Sequence, residues 1–258
     1  MDNKGQFGAD GAYVEVKNLQ QDYETNSGTV HALENISFSV SAGEFISLIG
    51  PSGCGKSTLL KIIGDLIQPT SGSVSINGAS NKDARLAGMF SFVFQNPVLL
   101  PWRKVIDNVR LPSEILRDHT HANPLALLEM VGLEGCDDLY PSELSGGMQQ
   151  RVALARALSF EPKMLLMDEP FAAVDELNRQ TLNLELQRIW REIGVTVFFI
   201  THSISEAIFL SDRVFVLSPR PANIVEIFEV PFPRPRDTMI KETKKFQDMV
   251  KCLRQMLE

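Results

Sequence analysis

Residues 44–63 read EFISLIGPSGCGKSTLLKII, and this stretch predicts the fold. Its centre matches the phosphate-loop pattern G-x-x-x-x-G-K-[ST], in which glycines let successive backbone N–H groups point at phosphate oxygens. The apolar run 44–49 is typical of a buried parallel strand, and the residues after the loop continue as a helix whose N-terminal end also favours phosphate. We therefore predict a strand, a loop and a helix around a bound nucleotide, with Lys56 on the terminal phosphates and Ser57 as a Mg²⁺ ligand.

The composition is that of an ordinary globular chain. Of the 258 residues, 44% are hydrophobic and 22% are charged, which excludes wholesale disorder and a collagen-like fibre. The formal net charge of -7 gives no global attraction to nucleic acid, so we expect no nucleic-acid partner. Three widely spaced cysteines suggest neither a disulfide framework nor a zinc site. Residues 1–11 carry no apolar segment typical of a secretory signal, and no run reaches the roughly 18 apolar residues that span a bilayer. We therefore expect any tie to a membrane to come through a partner.

Alternating strand-like and helix-like runs predict a doubly wound parallel sheet. Strands separated by turns are predicted over 12–49, and a helix is predicted from about 177 to 192. Helical periodicity between about 96 and 158 predicts an inserted helical subdomain. Further strand-like runs are 164–167, 195–200 and 213–217.

The C-terminal segment divides at its prolines, which break any helix or central strand. Beyond them, apolar residues recur at a spacing of three to four and predict a terminal amphipathic helix. Packing of this helix on the domain and contact with a second copy or a membrane partner are both open interpretations. The apolar positions are Phe246, Met249, Val250, Leu253 and Leu257.

Two carboxylates end the apolar run 164–167 at the sheet edge where a nucleotide is expected. A buried strand rarely ends in this way without a chemical use. We predict that Asp168 holds Mg²⁺, directly or through water, and that Glu169 polarises the attacking water as general base.

Residues 144–151 read LSGGMQQR and form a second phosphate-binding feature. Ser145 is a residue of N-cap type, and the two glycines after it begin a helical pattern, so free N–H groups are presented at a helix start. This segment resembles the signature motif of ATP-binding cassette (ABC) proteins. In that family the signature of one subunit closes on ATP held by the phosphate loop of the other. The resemblance therefore implies two cassettes with ATP and Mg²⁺ between them. We expect a homodimer because the catalytic set is intact, and a heterodimer is the open alternative.

The resemblance extends to other family elements in their expected order. Gln95 matches the Q-loop glutamine, a contact of Mg²⁺ and water, and Asp175 matches the D-loop aspartate. His202 matches the switch histidine that reaches the γ-phosphate, and Tyr23 matches the aromatic residue that stacks on adenine. The implied catalytic residues are Glu169, His202, Gln95 and Lys56, and the implied metal ligands are Ser57, Gln95 and Asp168. The implied nucleotide contacts are Tyr23, Gly50, Pro51, Ser52, Gly53, Cys54, Gly55, Lys56, Ser57, Thr58, Ser145, Gly146, Gly147, Gln149 and Asp175.

The resemblance also implies the architecture. It is an α/β P-loop NTPase, an ABC-type nucleotide-binding domain with a RecA-like parallel-sheet core, an antiparallel β subdomain and a helical subdomain. This ABC ATPase domain is expected over 12–231, with the helical subdomain at about 96–160. The segment 232–258 is expected to be a C-terminal extension with the amphipathic helix.

Three further segments resemble the ATPases of nitrate, sulfonate and taurine importers. They are 94–103 (FQNPVLLPWR), 217–221 (LSPRP) and 233–236 (PRPR). The resemblance implies an ATP-hydrolysing importer subunit, peripheral at the cytoplasmic face of the inner membrane. Its partners would be separate transmembrane permease subunits and, indirectly, a periplasmic substrate-binding protein. A soluble ABC ATPase without a transport role, such as the iron–sulfur assembly type, is the alternative, and the transported solute is left open.

The apolar cluster 99–102 lies next to the Q-loop. A large apolar patch on a protein surface commonly marks a partner. We expect this cluster to help line the groove that receives a permease helix. The competing interpretation is that it is buried within the helical subdomain.

Overall fold

The computed structural model describes residues 12–26, 28–116, 122–172 and 174–257. The expectation about a secretory signal concerned residues 1–11, which lie outside these ranges. Among the described residues, no helix is both long enough and apolar enough to cross a membrane.

Within these ranges the chain forms two sheets, with helices around them. The strands are β1 (Val14–Thr25), β2 (Gly28–Val40), β3 (Phe45–Ile49), β4 (Ser71–Ile76), β5 (Ala79–Ser80), β6 (Phe90–Val93), β7 (Met164–Asp168), β8 (Thr196–Ile200), β9 (Arg213–Leu217) and β10 (Ile224–Glu229). The α-helices are α1 (Lys56–Ile63), α2 (Asn81–Leu86), α3 (Val105–Leu116), α4 (Pro124–Met130), α5 (Gly146–Leu158), α6 (Glu176–Ile193), α7 (Ile204–Leu210) and α8 (Lys244–Leu257). Short 3-10 helices lie at Pro141–Glu143 and Thr238–Glu242.

The larger sheet has the predicted parallel core. Its strand order is β10-β9-β3-β8-β7-β6, and every pair is parallel except the edge pair of β10 with β9. β3, β7 and β8 are buried along their whole length, as expected for central parallel strands covered on both faces. Leu48, Ile200 and Asp168 are level in register, so the loops that follow these three strands open at one edge of the sheet.

The smaller sheet is antiparallel, with strand order β2-β1-β4-β5. β1 and β2 fall in the segment predicted as strands, whereas β4 and β5 carry too few apolar residues for their pattern to be read. In β4 only Val74 and Ile76 are buried among serines and a glycine. The apolar residues of β1 share one core with those of α1, which places this sheet beside the phosphate loop.

Helices α3, α4 and α5 occupy the segment for which a helical subdomain is predicted. Helix α5 is tied to the core sheet, because Ser91 Oγ donates to Ala157 O at 2.6 Å. It is also tied to the loop after β6, because Gln150 Nε2 donates to Phe94 O at 3.1 Å. A displacement of α5 would therefore pull on the loop that carries Gln95.

The C-terminal segment covers the hydrophobic core on the side where α7 lies. Helix α8 packs on α7 and buries Phe246 and Leu253, so packing on the domain is the arrangement that the structure contains. The edge strand β10, which the sequence pattern did not reveal, leads into this segment.

Candidate active site

The phosphate loop runs from the end of β3 to the start of α1, as the sequence predicts. A Cβ atom on Gly50 would lie 2.9 Å from Leu217 O, so only glycine fits at this position. Gly55, which precedes α1, has φ of 132°, and a Cβ there would lie 2.8 Å from Leu33 Cδ2. Both positions therefore require glycine if the backbone is to follow this path.

Lys56 lies inside the arch of the loop. Its side chain is only 4% exposed, and Nζ donates to Gly50 O at 2.9 Å and to Pro51 O at 3.0 Å. The loop thus holds one buried positive charge at the mouth where phosphates are expected. The neighbouring Cys54 is buried as well.

Two oxygen-bearing side chains meet beside this charge. Ser57 Oγ donates to Asp168 Oδ1 at 2.8 Å, which joins the first turn of α1 to the end of β7. A hydroxyl and a carboxylate are ligands that Mg²⁺ accepts, so the pair fits the predicted metal role. Gln95, the third predicted ligand, is exposed in the loop after β6.

Glu169 and His202 form a pair at the same sheet edge. Glu169 Oε1 and His202 Nε2 lie 2.6 Å apart, and the glutamate side chain is the more buried of the two. Glu169 has φ of 48°, a conformation that non-glycine residues rarely adopt and that is common at functional sites. Its backbone N–H donates to Ile200 O at 3.1 Å, which links the ends of β7 and β8.

A polar network behind this pair was not predicted from the sequence. Glu206 is 5% exposed, and its carboxylate accepts from Thr201 Oγ1 at 2.5 Å and from Asn183 Nδ2 at 3.3 Å. Ser203 accepts from the backbone N–H of Glu206 at 3.3 Å and caps α7. The S-x-x-E spacing from Ser203 to Glu206 is typical of a capping box and could have indicated this helix start. The network fixes the residues on either side of His202.

Tyr23 lies in β1 next to the start of α1. Its hydroxyl is 3.5 Å from Thr58 Oγ1, so the ring borders the phosphate loop from the side of the antiparallel sheet. Stacking on adenine stays a prediction for this residue.

The signature residues form the start of α5. Ser145 Oγ accepts from Met148 N at 3.3 Å, and the helix begins at Gly146, followed by Gly147. Gln149 Nε2 donates to Pro141 O at 2.9 Å, so its amide nitrogen is bonded to the 3-10 helix that precedes α5. Among the described residues no hydrogen bond or ion pair joins 145–149 to the phosphate loop.

Asp175 lies at the start of α6. Its carboxylate accepts from Asn178 N at 3.1 Å and from Asn178 Nδ2 at 2.6 Å, as a helix cap does. The predicted contact of Asp175 with nucleotide stays a prediction.

Arg220 contacts the phosphate loop from outside and was missed as a site residue. Its Nε donates to Gly53 O at 2.5 Å, across an open cleft of about 310 Å³. The loop that carries it is braced, because Ala222 N donates to Ala32 O at 3.0 Å and Glu34 N donates to Ala222 O at 2.9 Å. The guanidinium thus restrains one carbonyl of the predicted phosphate loop.

Arg220→Ala is expected to raise the Kd for ATP about fivefold, because a charge-assisted hydrogen bond that orders the loop is lost. Calorimetric titration with ATP measures this change. Arg254→Ala, on the exposed face of α8, is the control. An unchanged Kd in Arg220→Ala would contradict the ordering role.

Comparison with known proteins shows the family. Residues 33–172 match the family model described as ABC transporter. An uncharacterised ABC transporter ATP-binding protein of Methanocaldococcus jannaschii is 47% identical over 87% of this chain and 84% of its own length. A nitrate import ATP-binding protein of Synechococcus elongatus is 45% identical over 83% of this chain and 80% of its own.

A solved structure of an ATP-binding cassette is also similar to this chain. It is a dimeric, post-hydrolysis ATP-binding cassette bound to ADP and Pi, 32% identical in sequence with a TM-score of 0.74. The match covers 85% of this chain and 100% of that one. The chain belongs to the ABC transporter family and is an ATP-binding ATPase of that family.

Proposed function

We propose that this chain is the ATP-hydrolysing subunit of an ABC importer for a small oxyanion such as nitrate. The observation that carries its catalytic part is the pair of Glu169 and His202, which lies at the same sheet edge as Ser57, Asp168 and the phosphate loop. A carboxylate at the end of β7 can accept a proton from water there, and the imidazole beside it can donate to a phosphate oxygen. Import of an oxyanion rests on the relative named for nitrate import and on the three importer-like segments of the sequence.

Some residues of the site would bind the nucleotide and the metal, and others would carry out hydrolysis. Lys56 and the N–H groups of the phosphate loop bind the phosphates, and Tyr23 borders the site where adenine would lie. Ser57 and Asp168 would hold Mg²⁺, with Gln95 reaching it from the loop after β6. When bound, the metal neutralises charge on the phosphates. Glu169 orients the attacking water and takes its proton, while the ring of His202, which lies beside it, donates to a phosphate oxygen.

Two copies of the chain complete the site in this proposal. The N-terminal end of α5 presents the N–H groups of Gly146 and Gly147 with the positive end of its dipole. In the described part of one chain these groups make no bond to its phosphate loop. We therefore assign them to the nucleotide of a second copy, with Asp175 at the contact between copies. The dimeric relative bound to ADP and Pi supports this arrangement.

An exposed apolar segment supports a permease partner. Trp102 is 72% exposed and Val98 61%, whereas Leu99 packs against the core. The segment is held rigidly, since the buried Asn108 accepts from Leu100 N at 2.7 Å and donates to Leu100 O at 3.2 Å. A fixed apolar patch of this kind suits a helix of a transmembrane protein. The cassette would then sit at the cytoplasmic face of the membrane without crossing it.

Trp102→Ala is expected to lower permease-stimulated ATP hydrolysis and transport about tenfold, because a large exposed aromatic is a typical anchor of an interface. Basal hydrolysis by the cassette alone is expected to stay unchanged. Proteoliposomes that contain the permease and the binding protein measure both activities with nitrate. Leu86→Ala, which removes an equally exposed apolar side chain on α2, is the control.

Normal stimulation and transport in Trp102→Ala would contradict the docking role of this segment. If the same proteoliposomes did not stimulate ATP hydrolysis by the wild-type chain, the importer role would be contradicted. That second result would favour an ABC ATPase without a transport function.

A further inference from the structure

A buried arginine from the C-terminal segment caps the end of α7. Arg236 is 3% exposed, and its Nη1 donates to Ile208 O at 2.9 Å, Phe209 O at 3.0 Å and Ser211 O at 2.7 Å. The last carbonyls of a helix have no partner within the helix, and a cation there also complements the helix dipole. Arg236 therefore stabilises the C-terminal end of α7.

The arginine is itself held from two sides. Gln187 of α6 accepts from Arg236 N at 2.6 Å and donates to Arg236 O at 2.9 Å. Phe232 O accepts from the other two guanidinium nitrogens, at 3.3 and 3.2 Å. Burial lowers the pKa of Arg236 to about 10, which leaves the side chain charged near neutral pH.

A second arginine reinforces the same end of the helix. Arg234 donates from Nε to Asp212 Oδ1 at 2.9 Å, and its Nη2 also donates to Leu210 O. Its guanidinium lies 4.1 Å from the centre of the Trp190 ring. The segment 232–236 is thus a clamp on the end of α7.

The other end of α7 carries the switch histidine. His202 lies between Thr201, which is bonded to Glu206, and Ser203, which caps the helix. The helix has 7 residues, too few to be stable without contacts at both ends. Loss of the contacts at its C-terminal end would loosen its first turn as well.

We infer that Arg236 is a positioning residue for ATP hydrolysis: by clamping α7 it keeps His202 within bonding distance of Glu169. This inference rests on the catalytic role proposed above for that pair. Arg236 does not touch the catalytic pair itself, because its hydrogen bonds within the described residues go to main-chain carbonyls and to Gln187.

Arg236→Met is expected to lower kcat about tenfold while KM for ATP changes less than about twofold, because the phosphate loop is untouched. Arg236→Lys is expected to recover most of kcat, since an ammonium can donate to the same carbonyls. Arg254→Met, on the exposed face of α8, is the control and keeps wild-type kinetics. Equal losses in the Met and Lys variants, or a rise in KM as large as the fall in kcat, would overturn the inference.

A second readout does not depend on activity. The chain has four histidines, and the ring resonance of His202 can be assigned by its loss in His202→Gln. In Arg236→Met this resonance is expected to shift while those of the other three stay in place. An unshifted His202 signal would overturn the positioning role even if kcat falls.

Two further variants separate the possible failures. If Arg236→Met does not fold, Gln187→Met loosens the clamp without removing the buried cation, and it is expected to lower kcat about threefold at constant KM. Wild-type kcat in that variant would then overturn the inference. If His202→Ala hydrolyses ATP at the wild-type rate, the proposed catalytic role of His202 is wrong. That conclusion does not depend on whether Arg236→Met shifts the His202 resonance.

Discussion

Glu169→Gln is expected to bind ATP as the wild type does and to hydrolyse it roughly 10³-fold more slowly. The amide keeps the shape of the side chain and can still contact His202, but it cannot accept a proton from the attacking water. Release of phosphate over time measures hydrolysis, and calorimetric titration measures binding.

Glu161→Gln is the matched control for this variant. Glu161 precedes β7 at the opposite end from Glu169, and both residues have positive φ, 52° and 48°. A general effect of removing a glutamate from a strained backbone would therefore appear in both variants. If Glu169→Gln kept more than about a tenth of the wild-type rate, Glu169 would not be the general base.

Lys56→Ala is expected to bind ATP more weakly, and not merely to hydrolyse bound ATP more slowly. The ammonium lies inside the phosphate loop, and losing its expected charged hydrogen bonds to phosphate oxygens costs about 2 kcal/mol, which is roughly 30-fold in Kd. Calorimetric titration with ATP gives the value directly.

Lys61→Ala, one turn further along α1, is the control for this second variant and is expected to keep wild-type affinity. An affinity of Lys56→Ala within about twofold of the wild type would contradict the placement of Lys56 on the phosphates.

The parts of the fold that the sequence predicts are those with short-range patterns. The phosphate loop is readable because glycine spacing, lysine and serine all lie within eight neighbouring positions. β7 and β8 are readable because fully buried strands are continuous apolar runs, and the parallel sheet follows from their alternation with helices. Strands β4, β5 and β10 were missed because their burial is partial and their residues are mixed.

The sequence likewise predicts those site residues that belong to a short-range pattern. The residues placed together at the sheet edge are readable because each ends an apolar strand or follows it within two positions. They are Asp168, Glu169 and His202. Arg220 and Arg236 were missed because their partners are main-chain carbonyls that follow no local pattern. Glu206 was missed although the S-x-x-E spacing that ends at it is typical of a capping box. Arg220 donates to the carbonyl of Gly53, 167 positions away, and no periodic pattern in the sequence predicts such a hydrogen bond.

In the proposed mechanism, two copies of this chain close on ATP between the phosphate loop of one and the signature of the other. Light scattering of purified Glu169→Gln, with and without ATP and Mg²⁺, detects this closure, because slow hydrolysis preserves the closed state. We expect the mass to rise from 28.7 kDa to twice that value only when ATP is present. A mass that stays at one chain while calorimetry reports bound ATP would contradict the two-copy site.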